Sequence, residues 1–156
     1  MTKQYTPESR LEAMGIILPD APAPVAAYVP ARREGQLLFV SGQIPMRQGS
    51  LIATGRVPDE VDEHTAIGCA RQCALNGLAV AKAALGSLDK VAGVVRVGCF
   101  VASAPGFGAQ PTIANAASEL LVEVFGEVGP HARAAVGSVS LPLNVPVEIE
   151  FLFAIA

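Results

Sequence analysis

The stretch His131-Ala-Arg133-Ala-Ala-Val136-Gly-Ser-Val-Ser140-Leu-Pro-Leu-Asn144-Val145-Pro-Val147-Glu148-Ile149-Glu150-Phe151-Leu-Phe153-Ala-Ile155 decides how this chain folds. It reads as two strands, over residues 133–140 and 145–155, joined by a turn containing proline and asparagine. In the second strand Val145, Val147, Ile149, Phe151, Phe153 and Ile155 share one face, because successive strand residues point to opposite sides. Glu148 and Glu150 then point the other way. Among these apolar and small neighbours Arg133 and Glu148 stand out. A guanidinium and a carboxylate in such surroundings are costly unless paired, solvated or used on a ligand. The planar arginine fork matches a carboxylate in a bidentate way, and a nearby glutamate can hold and activate a water. The pair therefore points to a pocket in which water attacks a small carboxylate substrate. The competing explanation is a structural ion pair on adjacent strands.

Working outward, residues 91–102 form a β-branched run expected as a central strand. A helix from about Pro111 precedes the arginine strand, with Ile113, Ala117, Leu120, Leu121 and Val124 on one face and Gly126 and Gly129 at its end. A longer helix opens at Asp62 or Glu63 and closes at Gly86. Its stripe of Ile67, Ala70, Ala74, Leu78, Ala81 and Leu85 is rich in alanine, which permits close packing on a sheet. Residues 25–33 and 36–41 read as two strands around the tight turn Glu34-Gly35, with the sequence Ser41-Gly42-Gln43-Ile44-Pro45 breaking the second. A further short strand is expected near residues 50–54. Thr6-Pro7-Glu8 opens a short helix that Gly15 ends. The order of elements is that of an α+β two-layer sandwich: a mixed sheet with two helices on one face. The other sheet face needs a cover, and a second copy of the chain is the simplest one.

The 156 residues fit a single domain, 1–156, with residues 1–20 as an N-terminal helical extension. Hydrophobic residues make up 51% and charged residues 16%, a balance that suits apolar surface buried between subunits. The formal charge of −3, with no basic run and no tryptophan, speaks against nucleic-acid binding. No apolar stretch reaches membrane-spanning length. Three cysteines and a polar N-terminus fit a reducing cytoplasm rather than a disulfide framework.

The blocks Ala27-Tyr28-Val29-Pro30, Phe39-Val-Ser41-Gly42-Gln43-Ile44-Pro45 and Ala132-Arg133-Ala-Ala-Val136, followed by Val147-Glu148-Ile149-Glu150, resemble the RidA family, also called YjgF or endoribonuclease L-PSP. The stretch from Phe107 to Asn115 resembles it too. The resemblance implies a chorismate-mutase-like fold and a homotrimer whose sheets line a central barrel, with clefts between subunits. It implies hydrolysis of enamine and imine intermediates to 2-oxo acids and ammonia, with no cofactor and no metal. By motif, Arg133 would bind the substrate carboxylate and Glu148 would position the water. Tyr28, Ser41 and Asn115 would line the cleft. The chain departs from the family in one place: Ala135 stands where a cysteine is frequent, so that cysteine is not essential to any chemistry performed here.

Each candidate has a plainer reading beside it. Tyr28 fits a partly buried aromatic, Ser41 a turn residue, and Asn115 an ordinary polar position near a helix start. His64, Cys69 and Cys73 lie on the long helix, but their spacing matches no strong zinc pattern, and small thiols in an alanine stripe read as core. His131, two residues before Arg133, falls on the same strand face; a solvated residue is the preferred reading, and a place at the rim of the cleft is the alternative. Two other functions stay open: a non-catalytic module that binds small carboxylates, and a ribonuclease, which the acidic balance disfavours.

Overall fold

The apolar alternation at the C-terminus produces the middle strand of a five-stranded sheet in the computed structural model, which describes residues 5–23 and 27–156. The strands run in the order β1 (Ala31–Glu34), β2 (Leu37–Gln43), β7 (Val147–Ile155), β5 (Val91–Ala102) and β6 (Ala132–Ser138). Only β5 and β6 are parallel; the other pairs are antiparallel. Parallel neighbours need a crossover, and α3 (Gln110–Phe125) supplies it between them. The long helix α2 (Glu63–Leu85) lies on the same sheet face against β2 and β7, and α3 lies against β5 and β6. The sandwich is therefore the α+β arrangement expected, with the core between sheet and helices.

Local chemistry explains the boundaries of the helices. Asp62 caps α2 by accepting from the Thr65 amide at 2.7 Å, and Gly86 ends it with φ of 84°. Thr6 and Ser9 form a reciprocal cap at the start of α1 (Pro7–Ala13). The alanine stripe lets α2 approach the sheet closely. At Gly77 a Cβ would lie 2.5 Å from the Phe151 ring. All five apolar positions expected on α3 are buried, as are the inward residues of β7.

Several strand expectations are corrected. Residues 27–30 are not a strand, and residues 24–26 fall outside the described residues; among the described residues of the first run, 31–33 pair in the sheet, in a strand that extends to Glu34 of the expected turn. Ser41-Gly42 does not break β2. Val40 pairs with Phe151 and Gln43 with Ile149, so Ser41 and Gly42 together face Glu150 as a bulge. The strand near residue 50 is β4 (Ser50–Leu51), a two-residue partner of β3 (Met46–Arg47), which has no clear signal in the sequence. The two C-terminal strands begin and end at Ala132–Ser138 and Val147–Ile155, and Pro146 starts no ladder. They are not neighbours, because β5 lies between them. The central place in the sheet belongs to β7, with β5 beside it.

Candidate functional site

Arg133 stands on β6, an edge strand of the sheet. Its register partner on β5 is Val97, which in turn pairs with Phe151 of β7. Paired residues point to the same side, so Arg133 faces the helices. At the sheet edge that side is open to α3 rather than to the core, and the arginine stays exposed. Asn115 and Ser118, one helical turn apart on α3, meet it there. Arg133 Nη1 donates to Asn115 Oδ1 at 2.9 Å and to Ser118 Oγ at 3.2 Å. Ser118 Oγ lies 2.9 Å from His131 Nε2, and His131 Nδ1 lies 2.7 Å from the Gly129 carbonyl. The start of α3 is pinned beside them: Gln110 Nε2 donates to the Phe107 carbonyl at 2.8 Å and to Ser103 Oγ at 3.2 Å. Of the candidates, Arg133 and Asn115 are thus in contact, and His131 shares their cluster. Ser118 is a member that sequence reasoning passed over. The available signal was its place three residues after Asn115, on the same helical face.

Glu148 lies on the opposite side of the sheet. It pairs with Phe100, which pairs with Val136, one alternation out of phase with the row that holds Arg133. The adjacent-strand ion pair between Arg133 and Glu148 is therefore ruled out: a strand separates them and they face opposite ways. Glu148 packs against the bulge of β2, where a Cβ on Gly42 would collide with its carboxylate. Burial, with the Glu150 charge adding to it, pushes the Glu148 carboxyl above its ordinary value. Glu150 itself pairs with Arg96 at 3.2 Å.

Tyr28 and Ser41 belong to this second side. Ser41 Oγ donates to the Val29 carbonyl at 2.7 Å, and the Ser41 amide donates to the Pro30 carbonyl at 2.9 Å. These bonds continue the pairing of β1 with β2 and hold the segment that carries Tyr28 beside β2. An open cavity of about 660 Å³ is lined there by Tyr28, Ser41, Phe39, Arg96, Glu150 and neighbouring residues. The sheet face around it carries exposed apolar side chains, including Phe39 at 47% and Val136 at 45%. The candidate residues therefore fall into two groups: Arg133 with Asn115, Ser118 and His131 on one face, and on the other Glu148 against Gly42, with Tyr28 and Ser41 lining the cavity.

The cysteines stand apart from both. All three are buried and free. Burial pushes the Cys99 thiol up to about 12 despite the nearby Arg133 charge, and the Cys69 thiol up to about 11. Neither is a thiolate at neutral pH. Among the described residues no group of three or more His, Cys, Asp or Glu side chains is placed to hold a metal ion. Nor is any helix there long and apolar enough to cross a membrane.

Comparison with known proteins agrees with this architecture. Residues 8–155 match the family model described as "YjgF/chorismate_mutase-like, putative endoribonuclease". Protein TCP17 of Trypanosoma cruzi is 42% identical over 145 residues, covering 92% of this chain and 91% of that protein. A 2-iminobutanoate/2-iminopropanoate deaminase of Dermatophagoides farinae is 33% identical over 141 residues, covering 90% and 94%. The crystal structure of Atu1372 from Agrobacterium tumefaciens, a protein of unknown function, superposes with a TM-score of 0.89 at 47% identity, covering 96% of this chain and 92% of that one. With sheet order, helix placement and nearly the full length in agreement, the chain belongs to the YjgF/chorismate-mutase-like family, the RidA family.

Proposed function

We propose that this protein hydrolyses 2-imino acids to 2-oxo acids and ammonia, in clefts formed between copies of the chain in a homotrimer. The observation that carries the reading is Arg133. Its guanidinium is exposed and held by neutral oxygens of Asn115 and Ser118, with no carboxylate among the described residues to neutralise it. A free charged fork of this kind suits the carboxylate of a small ligand. Because Glu148 faces the other side of the sheet, the two halves meet only when one subunit offers the edge of β6 to the open face of its neighbour. The exposed apolar residues of that face suit such a contact. The deaminase of Dermatophagoides farinae supports the choice of reaction.

In the reaction, Arg133 holds the carboxylate so that the C=N carbon sits at a fixed point beside Glu148. Glu148 accepts a proton from water as the water oxygen bonds to that carbon. The C=N π pair moves to nitrogen, which takes that proton from Glu148 and gives a carbinolamine. Glu148 then takes the remaining hydroxyl proton and passes it to the nitrogen, and the oxygen electron pair closes the C=O bond as the C–N bond breaks. Water is consumed and ammonia is released. A carboxyl raised towards neutral pH by burial exchanges protons more readily in both directions than an ordinary glutamate. Tyr28, at the rim of the same half, donates to the nitrogen.

The test supplies an imine generated in situ and measures 2-oxo acid and ammonia above the spontaneous rate. Arg133→Lys keeps the charge and loses the fork, and should weaken 2-oxobutanoate binding by about tenfold, equivalent to about 1.4 kcal/mol. Equal affinity in that variant removes arginine from the role. An RNA digestion assay with Arg133→Ala as control separates the ribonuclease reading, which the charge of −3 disfavours.

A further inference from the structure

The hydrogen-bond chain behind Arg133 has a direction. The Gly129 carbonyl can only accept, so His131 Nδ1, 2.7 Å away, carries the ring hydrogen. In the neutral ring Nε2 is then an acceptor, and Ser118 Oγ, at 2.9 Å, donates to it. With its hydrogen committed to the ring, Ser118 presents a lone pair to Arg133 Nη1 at 3.2 Å. Asn115 Oδ1 takes the other Nη1 hydrogen at 2.9 Å. Both hydrogens of one terminal nitrogen are thus engaged. Of the three that remain, the Nε hydrogen and one Nη2 hydrogen form one edge of the guanidinium, and none of the three has an acceptor among the described residues.

We propose that Ser118 and His131 are positioning residues that fix the rotation of the Arg133 guanidinium, so that a ligand carboxylate is taken side-on by the Nε and Nη2 edge. This rests on the reading of Arg133 as the carboxylate anchor. Neither residue touches the ligand. His131 acts on Ser118, and Ser118 acts on the arginine. An arginine on an exposed edge strand otherwise samples many rotamers, and that freedom must be given up on binding. Fixing the side chain beforehand removes much of that loss and leaves a single two-pronged edge free. The packing of α3 on β6 does not need this polar chain, because Ile113, Ala117, Leu120 and Leu121 already bury the helix face.

The experiment compares Ser118→Ala, Ser118→Thr, His131→Leu and the double variant Ser118→Ala/His131→Leu with the wild type. It measures affinity for 2-oxobutanoate by calorimetry, KM and kcat for the imine generated in situ, and Tm. Ser118→Ala and His131→Leu are each expected to raise Kd and KM about tenfold, with kcat little changed. Ser118→Thr keeps the hydroxyl and should restore wild-type affinity. The double variant should be no weaker than Ser118→Ala alone, since the histidine acts only through the serine. If the single variants lower Tm but bind as the wild type does, the network is only structural and the proposal falls. Multiplying losses in the double variant also overturn it. Should His131→Leu fail to fold, the Ser118 pair decides the matter. Wild-type protein that does not bind 2-oxobutanoate removes the anchor reading and this proposal together. Wild-type protein that binds without turnover removes the deaminase reading alone, and the affinities still decide the role of Ser118 and His131.

Discussion

At the scale of single residues, the chemistry of the acidic half depends on how Glu148 is seated. Burial and the Glu150 charge hold its folded-state carboxyl above the ordinary 4.5. The folded protein therefore binds that proton more tightly than the unfolded chain does. The advantage is complete below pH 4.5 and is lost as pH rises through the raised folded value. Glu148→Gln never ionises, so its Tm should gain on that of the wild type as the pH is increased. A Tm difference that stays flat with pH speaks against the raised carboxyl. The same variant should keep its affinity for 2-oxobutanoate and lose turnover by about 100-fold or more, the usual worth of a positioned acid–base group. Gly42 seats the carboxylate, since a Cβ there collides with it. Gly42→Ala should cost about 100-fold in turnover by displacing Glu148, and an unchanged kcat would show that the contact does not matter. Of the site, Arg133 and Glu148 could be read directly as charges in apolar strands. Asn115, Tyr28 and Ser41 came only from the family resemblance. Ser118 had only its place one helical turn after Asn115 to mark it, because a serine on an amphipathic helix otherwise looks like any other surface position until its partners are known.

At the scale of elements, a buried amide ties the bulged strand to the helix layer. Asn76, in the middle of α2, donates from Nδ2 to the Ile44 and Met46 carbonyls at 3.0 Å each and accepts from Gln72 Nε2 at 3.0 Å. It thereby fixes the chain just after the Ser41-Gly42 bulge, and with it the floor on which Glu148 rests. Asn76→Ala leaves two carbonyls and one amide without their partner and should cost about 2 kcal/mol, read by urea unfolding at one fixed protein concentration. A loss below about 0.5 kcal/mol, the level of an ordinary surface change, would mean that water replaces the amide. The helices were legible because caps, glycines and a repeat of three and four residues all agree on their limits. The strands of residues 25–54 were not. Short edge strands with prolines and glycines carry weak alternation, and a bulge has the same local composition as a break.

At the scale of the whole molecule, Arg133 and Glu148 lie on opposite faces of the sheet, so under the proposed function a complete cleft would draw them from different subunits. Arg133→Ala and Glu148→Gln are each expected to be inactive alone. Refolded together in equal amounts, they should recover about a quarter of wild-type activity. Three-quarters of the trimers would be mixed, and each mixed trimer would hold one intact cleft of three. Sedimentation checks the trimer, and the mixing experiment checks the sharing. Absence of any recovery in mixed trimers would place both residues of a cleft in one chain. The open sheet face, with Phe39 and Val136 exposed in the single chain, is the surface that such assembly would cover.

By itself, the sequence determined the helices, the strands after residue 90 and the faces of both. Strand alternation has a period of two and helical stripes a period near 3.6, and both are written in the order of the residues. It therefore placed Glu148 and Glu150 away from the core, buried one face of α3 and paired a mixed sheet with two helices. Only the tertiary structure decided which strands are neighbours. That choice rests on contacts between residues far apart in the chain: β5 enters between β6 and β7, and its register sets Arg133 and Glu148 on opposite sides. No local pattern encodes that relation, because alternation fixes the phase within a strand and leaves the phase between strands to packing.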